Sequence, residues 1–431
     1  MNSDQWMTYG DDHVVVTNNT ADITVAQLKS HVASIQSCLS DNDIRSCAIF
    51  TEDTTLFIAA FLACVYTGVE VVLPANTAPQ FVAKLDVDGW IGDFPQALAV
   101  DLLSLQMAEP RLLAKDSTVS LFTSGSTGEP KRIKRLVSQL LLEVRMLEQV
   151  WGQSLSFDRV GATVSHQHIY GLLFKIIWPL MRGTTVVGPI IPYESSLSQW
   201  LKIDQTLLLV ASPAFLKRVC NEHQHQGKLC QVISSGGMLT SEQHVHASNM
   251  LQAPITQVYG SSETGGMASR ESKGQWQWLP GVESKIENGV LWVQSPYCYQ
   301  DGWHCTQDAI ELNGDGFELL GRIDRIVKIE EYRVALSQVE LALLQSDWIA
   351  DAAVIKLSNN RQFLAAAVQL SESGRQQLQQ NGEVHLKNQI KQDLLAHLDK
   401  KAIPKRMRFI DEALENSQGK RSQEQLQAWL S

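Results

Sequence analysis

Apolar residues recur at helical spacing over Thr24 to Leu39 and again over Thr55 to Tyr66, whereas Ser46 to Phe50 and Glu70 to Leu73 are short apolar runs that read as strands. This alternation predicts parallel strands joined by crossover helices, a large doubly wound α/β body. Val119 and Leu121 alternate into a glycine-rich segment, and Leu140, Val144, Leu147 and Trp151 then repeat with helical period, so the glycines lie between regular elements. From roughly residue 280 onward, Gly281, Gly289, Gly302, Gly314, Gly316 and Gly321 punctuate short apolar runs, which predicts a small β-rich subdomain. The pattern changes once more near Arg322 to Arg325. Val339 to Gln345 reads as a helix, Ala353 to Ile355 and Phe363 to Val368 as strands, and Ile390, Leu394, Leu395 and Leu398 as the apolar face of a further helix. The expected division is an N-terminal core over 1–321 and a small α+β C-terminal domain over 322–431.

Composition narrows the function classes. A chain of 431 residues with 44% hydrophobic and 19% charged positions is long enough for two or more folded domains and a deep small-molecule site. A net charge of -10 repels a phosphate backbone, which argues against nucleic acid as the main partner. The apolar run Leu56 to Val65 is about half of what a bilayer requires, so no membrane span is expected. The first residues lack the basic start and apolar stretch of a signal peptide. Seven cysteines without a CxxC pattern fit free thiols in a reducing compartment, and the expected location is cytoplasmic.

The segment Leu121-Phe-Thr-Ser-Gly-Ser-Thr-Gly-Glu-Pro-Lys131 holds the candidate chemistry. Its glycines let backbone N–H groups turn toward an anion, while hydroxyls and a lysine offset phosphate charge, so a triphosphate is the natural guest. A Walker A loop is excluded, because Pro130 precedes Lys131 and Arg132 follows it. By itself such a loop also reads as a polar surface turn.

The loop resembles the phosphate-binding signature of the adenylate-forming superfamily, which includes acyl- and aryl-CoA synthetases, peptide-synthetase adenylation domains and luciferases. Further segments resemble that family's motifs in order. They are Tyr259-Gly-Ser-Ser-Glu-Thr-Gly265 (adenine and metal), Thr306-Gln-Asp308 (ribose), Gly321-Arg-Ile-Asp-Arg-Ile-Val-Lys328 (hinge) and Gly419-Lys420 (catalytic lysine). Weaker similarities lie at Ser234-Ser-Gly-Gly-Met-Leu239 and Gly68 to Pro74.

The resemblance implies ATP and Mg²⁺ as cofactors and assigns roles by residue. Thr123, Ser124, Gly125, Ser126, Thr127, Gly128 and Lys131 would cradle the phosphates. Lys420 would supply positive charge at the reacting oxygens, Glu263 would hold the metal, and Ser262 would place a hydroxyl at the α-phosphate. Tyr259 with Gly236 and Gly237 would form the adenine slot, and Asp308 and Arg322 would hold the ribose. Asp324 would be the hinge about which a mobile C-terminal domain rotates between adenylation and thiol transfer. Taken singly, most of these residues read more readily as packing or surface charge, and it is their ordered combination that carries the resemblance.

The acid pocket is expected around Ser165-His-Gln-His-Ile-Tyr-Gly-Leu172, with His168, Tyr170, Gly171, Met238 and Met267 as candidates. His168-Ile-Tyr-Gly171 is most similar to coumarate and other aryl-acid ligases, and it lacks the aspartate that amino-acid-activating relatives use. The substrate expected is an aryl or medium-chain acyl acid, with a fatty-acyl/acyl-carrier-protein ligase as the alternative. The acceptor is the thiol of coenzyme A or the phosphopantetheine of an acidic acyl carrier protein supplied in trans. The cluster Lys400 to Arg408 could meet either one, or simply be solvated. Glu331, where the family usually has glycine, would narrow or charge the thiol tunnel. Three His-x-His pairs (166/168, 223/225, 244/246) have no third ligand at metal spacing and read as packed or solvated histidines. The competing classes are a non-catalytic nucleotide-binding regulator and a phosphatase-like or P-loop ATPase.

Overall fold

A computed structural model describes residues 4–100, 109–112, 116–124, 130–201, 204–220, 228–271, 274–329, 332–358, 362–412, 414 and 421–431. The chain forms two compact units, one of Met1–Gly274, Trp278–Glu283 and Gln294–His304, the other of Gln275–Gln277, Ser284–Val293 and Cys305–Ser431.

The first unit carries the α/β pattern expected from the sequence. Helix Val25–Asp41 begins at a capping box, in which Gln27 N–H donates to Thr24 Oγ1 (3.4 Å) and Thr24 N–H donates to Gln27 Oε1 (2.9 Å). It buries Leu28, Val32, Ile35 and Leu39 and packs on helix Thr54–Thr67. That second helix is capped by Asp53 and is buried almost all round, which is why its sequence is apolar on every face. Between and beside them runs a sheet in the order Gly89–Gly92, Ser46–Phe50, Glu70–Leu73, Thr118–Ser124, Pro130–Leu136, parallel except for the last strand.

A second sheet in this unit has the parallel series Ile255–Ser261, Lys228–Ser234, Thr206–Ala211, Arg159–Ala162, Thr185–Ile190 and Val14–Thr17, with Gly265–Arg270 antiparallel beside the first strand. Alternate residues feed two cores. Leu208, Val210 and Ile233 join Trp178 and Phe174 on one face, while Leu207, Leu209 and Val232 join Phe215 and Leu251 on the other. A sheet covered on both faces is what a doubly wound order produces, and its loops at the strand C-termini are where ligands bind in such folds.

The second unit is β-rich and then α+β. Strands Asp308–Asn313 and Gly316–Arg322 form an antiparallel ladder, followed by the pair Ile326–Ile329 and Tyr332–Ala335. Helix Leu336–Leu344, a sheet of Ile349–Ser358, Gln362–Leu370 and Arg406–Phe409, and helices Glu372–Asn381, Glu383–Leu395 and Gln423–Leu430 complete it. The expected boundary at 321/322 therefore falls inside this unit. The ladder pairs Asp308 with Arg322 across it, and Leu336–Leu344 packs on Gly316–Arg322, so backbone contacts join the hairpin to the chain that follows. Among the described residues no helix is long and apolar enough to cross a membrane.

Candidate active site

The phosphate-loop segment is held at both ends by a β-ladder. Thr123 lies opposite Lys131 and Ser124 opposite Pro130, while Gly125, Ser126, Thr127 and Gly128 lie outside the described residues. The returning strand Pro130–Leu136 sorts its basic residues by face. Arg132 and Lys134 bind Glu70 at 2.5 and 3.0 Å on one side. Lys131, Ile133 and Arg135 take the other, where Ile133 and Arg135 are buried and Lys131 is exposed.

Lys131 reaches toward Tyr299, whose backbone is bound to the candidate metal ligand Glu263. Its Nζ lies 5.4 Å from the Tyr299 ring centroid, a cation–π contact, and Tyr299 N–H donates to Glu263 O at 2.8 Å. The His304 ring meets the Tyr299 ring edge to face at 5.6 Å. Burial lowers the His304 imidazole pKa below its ordinary value, with Glu263 opposing and Lys131 reinforcing the shift. Lys131, Glu263, Tyr299 and His304 thus form one cluster of a cation, a carboxylate and two rings. The sequence points to Lys131 and Glu263 but not to Tyr299, which sits in a loop without local periodicity, or to His304, which opens the two-residue strand His304–Cys305.

The Glu263 turn is tightly built. Ser261 and Thr264 exchange hydrogen bonds through their hydroxyls and backbone N–H groups at 3.0–3.2 Å. Ser262 is half-buried, and its carbonyl accepts from Arg135 Nη1 at 3.3 Å. Glu143 Oε1 accepts from Gly266 N–H at 2.7 Å, and Glu143 Oε2 pairs with Arg135 Nη2 at 3.0 Å. Gly265 has φ +69°, and a Cβ there would sit 2.7 Å from Glu143 Oε2, so both conformation and space demand glycine. Sequence reading missed Arg135 and Glu143. Each is a charge set into an apolar face, Arg135 two residues after Ile133 in a strand and Glu143 between Leu140 and Leu147 on helix Val137–Leu147.

Tyr259 is half-buried in strand Ile255–Ser261. Gly236 and Gly237 are exposed just past strand Lys228–Ser234, and Ser235 Oγ ties their loop to Val258 O at 2.8 Å. A Cβ on Gly236 would meet no atom within 4 Å, so space is open in front of that backbone.

In the acid-pocket segment, Tyr170 OH donates to Ile233 O at 2.6 Å and approaches Ala211 O at 3.3 Å. Burial pushes its phenol pKa well above the ordinary range, with backbone hydrogen bonding at Ala211 and Ser235 opposing. Its hydroxyl is engaged with two adjacent strands, which leaves the ring as the part able to face a ligand. A Cβ on Gly171 would lie 2.1 Å from Ser165 O, so that glycine serves the close return of the chain. His168 and Met238 are half-buried, and Met267 is 2% exposed within strand Gly265–Arg270.

Asp308 and Arg322 lie in the second unit as a cross-strand pair, and Thr306 Oγ1 accepts from Asp308 N–H at 3.1 Å. Asp324 is the middle residue of the 3₁₀ turn Ile323–Arg325, whose first N–H donates to Gln307 O at 2.7 Å. Lys420 and Glu331 lie outside the described residues. Arg421, next to Lys420, pairs with Glu340 at 3.2 Å and Asp351 at 2.8 Å, and Glu340 also binds Arg325 at 2.6 Å.

No group of three or more metal-ligating side chains occurs among the described residues. A nucleotide-bound magnesium needs only one or two protein carboxylates, because phosphate oxygens and water complete its shell, so the single carboxylate of Glu263 is compatible with that ion. The histidine pairs have other partners: His166 with Thr51 O at 2.9 Å, His244 with Gln257 at 3.0 Å and His246 with Val219 O at 3.1 Å. His223 and His225 lie outside the described residues. The cysteines are free thiols.

The family model for AMP-binding enzyme matches residues 74–288. Among curated proteins, a probable CoA ligase of Humulus lupulus is 26% identical over 57% of this chain and 52% of its own, so the chain spans about half of that relative. The 4-coumarate–CoA ligase of Cereibacter sphaeroides is 26% identical over 72% of this chain and 71% of its own. The D-alanine–D-alanyl carrier protein ligase of Staphylococcus aureus is 23% identical over 94% of each. Among solved structures, O-succinylbenzoate coenzyme A synthetase of Bacillus subtilis with AMP superposes at a TM-score of 0.80, with 19% identity over 98% of both chains. Anthranilate CoA ligase with anthranoyl-AMP gives 0.80, with 16% identity over 99% of this chain and 97% of the other. These likenesses agree with the large α/β body and smaller C-terminal part expected from the sequence.

Proposed function

From the match of residues 74–288 to the AMP-binding enzyme family, we propose that the chain is an adenylate-forming enzyme that activates a carboxylic acid with ATP and then passes the acyl group to the thiol of coenzyme A or of an acyl carrier protein. The observation that carries this reading is the cluster in which Lys131, from the strand leaving the phosphate loop, and Glu263, from the turn after Tyr259, both meet Tyr299.

In the first step a carboxylate oxygen attacks the α-phosphorus, the bond to the bridging oxygen breaks, and pyrophosphate leaves with its charge. Two anions must approach, so the barrier is largely electrostatic and falls with fixed positive charge and alignment. Lys131 is the residue proposed to meet the departing phosphates, and Lys420 the one proposed at the reacting oxygens. Glu263 would hold Mg²⁺, which when bound offsets phosphate charge. Tyr259 and the Gly236–Gly237 backbone would flank adenine, Ser262 would address the α-phosphate, and the Asp308–Arg322 pair would hold the ribose. In the second step the thiol sulfur attacks the acyl carbonyl, its proton is lost to solvent, and AMP leaves.

The acid is proposed to be aryl or medium-chain acyl, with His168, the Tyr170 ring and Met238 among the residues offered to it. Such a pocket discriminates mainly by size and shape. A whole-length match to a carrier-protein ligase and partial matches to CoA ligases support both acceptors.

The test is an acid panel in ATP–pyrophosphate exchange, followed by transfer to coenzyme A or a carrier protein. Acid-dependent exchange is expected, with Lys420→Ala losing about 2.7–4 kcal/mol of transition-state stabilisation while its melting curve matches wild type. Absence of exchange with every acid would leave the nucleotide-binding regulator instead.

A further inference from the structure

Arg135 and Glu143 form an ion pair that is almost entirely excluded from water, with side chains 0% and 2% exposed. Its two members reach past each other to the ends of one turn. Arg135 Nη1 donates to Ser262 O, and Glu143 Oε1 accepts from Gly266 N–H. Between those two backbone atoms stands Glu263. The pair therefore grips the turn that carries the proposed metal ligand at one residue before it and three residues after it. Arg135 also belongs to the strand whose first residues include Lys131, so one rigid strand bears both the proposed phosphate lysine and half of the grip.

Stability is a poor account of this arrangement. A buried ion pair usually recovers no more than its own desolvation, and a packed apolar pair of similar volume commonly does as well or better. Here Arg135 Nε is in addition buried without a hydrogen-bond partner among the described residues. What the charges do supply is directionality, since an apolar pair could fill the volume but could not hold a carbonyl and an N–H in set places.

We propose that Arg135 and Glu143 are positioning residues for adenylation: a charged clamp that holds the Ser262–Gly266 turn, and with it the Glu263 carboxylate, in register with Lys131. The proposal rests on the reading of Glu263 and Lys131 given above. It predicts that the clamp acts on the rate of the chemical step and on metal use more than on nucleotide affinity, because the groups assigned to adenine and ribose lie elsewhere.

Single removals leave a buried charge and endanger folding, so the informative variants are doubles. Arg135→Met with Glu143→Leu removes both the grip and the charge. Arg135→Met with Glu143→Gln removes the charge but keeps an amide oxygen for Gly266 N–H. Both are first compared with wild type by melting and by amide hydrogen exchange of the unliganded protein. The expected result is faster exchange at Gly266 in the Leu-containing double, by about tenfold or more, with exchange in strand Lys228–Ser234 unchanged and partial protection returning in the Gln-containing double. In pyrophosphate exchange the Leu-containing double should lose about a hundredfold in kcat and need more Mg²⁺, with KM for ATP within about twofold of wild type, and the Gln-containing double should recover part of the loss.

Equal kcat and Mg²⁺ dependence in the folded Leu-containing double and wild type would overturn the clamp. So would a loss tracking melting temperature alone, with no difference between the two doubles. If wild type catalyses no acid-dependent exchange, or Glu263→Gln leaves its rate and Mg²⁺ requirement unchanged, the reading of the site itself falls and takes the clamp's role with it.

Discussion

Lys175 shows how far one residue can depart from what its type implies. It is fully buried, and its Nζ donates to Gly188 O at 2.7 Å and Thr54 Oγ1 at 3.1 Å. Burial pushes its pKa down from 10.5 to about 7. Between those two values the unfolded chain binds a proton that the folded chain does not, so unfolding becomes harder as pH rises through that window. Below pH 7 both states are protonated and the lysine's contribution is constant. Relative to Lys175→Met, wild type should therefore gain up to about 1.4 kcal/mol per pH unit between pH 7 and 10 in paired denaturant titrations. Parallel curves would mean that the amine is charged inside the fold. Lys175 interrupts the apolar run Leu172 to Trp178, so the local sequence signals its burial but does not name its partners. Those partners come from different distances, Gly188 from 13 residues on and Thr54 from 121 residues back, so only the fold brings both to the amine.

At the level of elements, periodicity was informative and partnership was not. Strands Ser46–Phe50 and Glu70–Leu73 and helix Thr54–Thr67 lie where their patterns place them, because each shows its buried face in its own residues. The Glu340 cluster was invisible by the same logic. Glu340 belongs to helix Leu336–Leu344 and accepts from Arg325, Arg421 and Val354 N–H, tying the proposed hinge turn, the residue after Lys420 and strand Ile349–Ser358 to one carboxylate. Glu340→Gln keeps an acceptor for Val354 but leaves partly exposed Arg325 without its anion and Arg421 with Asp351 alone. It should cost about 3 kcal/mol, the lower end for a broken buried pair, since solvent screens both partners. Denaturant unfolding together with faster amide exchange at Val354 would register the loss. An unchanged midpoint would show that Asp351 alone holds Arg421.

For the whole molecule, the proposed hinge decides whether one acid site serves two reactions. Asp324 sits in the turn Ile323–Arg325, and the first N–H of that turn is bound to Gln307 next to the ribose candidate Asp308. Asp324→Pro fixes φ near its turn value and removes an N–H. If the turn rotates between half-reactions, that variant should keep pyrophosphate exchange within about threefold and lose thioester formation by about tenfold or more. Equal thioester yields from variant and wild type would refute the alternation.

By itself the sequence determined the order of the motifs, the α/β start and α+β finish, and most element positions, since backbone preference, turn chemistry and apolar period are local properties. Tertiary structure alone decided that the Tyr170 hydroxyl bridges two strands and that Asp308 faces Arg322 across a ladder. It also decided that Arg135 and Glu143 close on a turn more than a hundred residues away. Those facts depend on which distant surfaces pack together, and a buried charge reveals its partner only when the fold has brought the two into the same dry space.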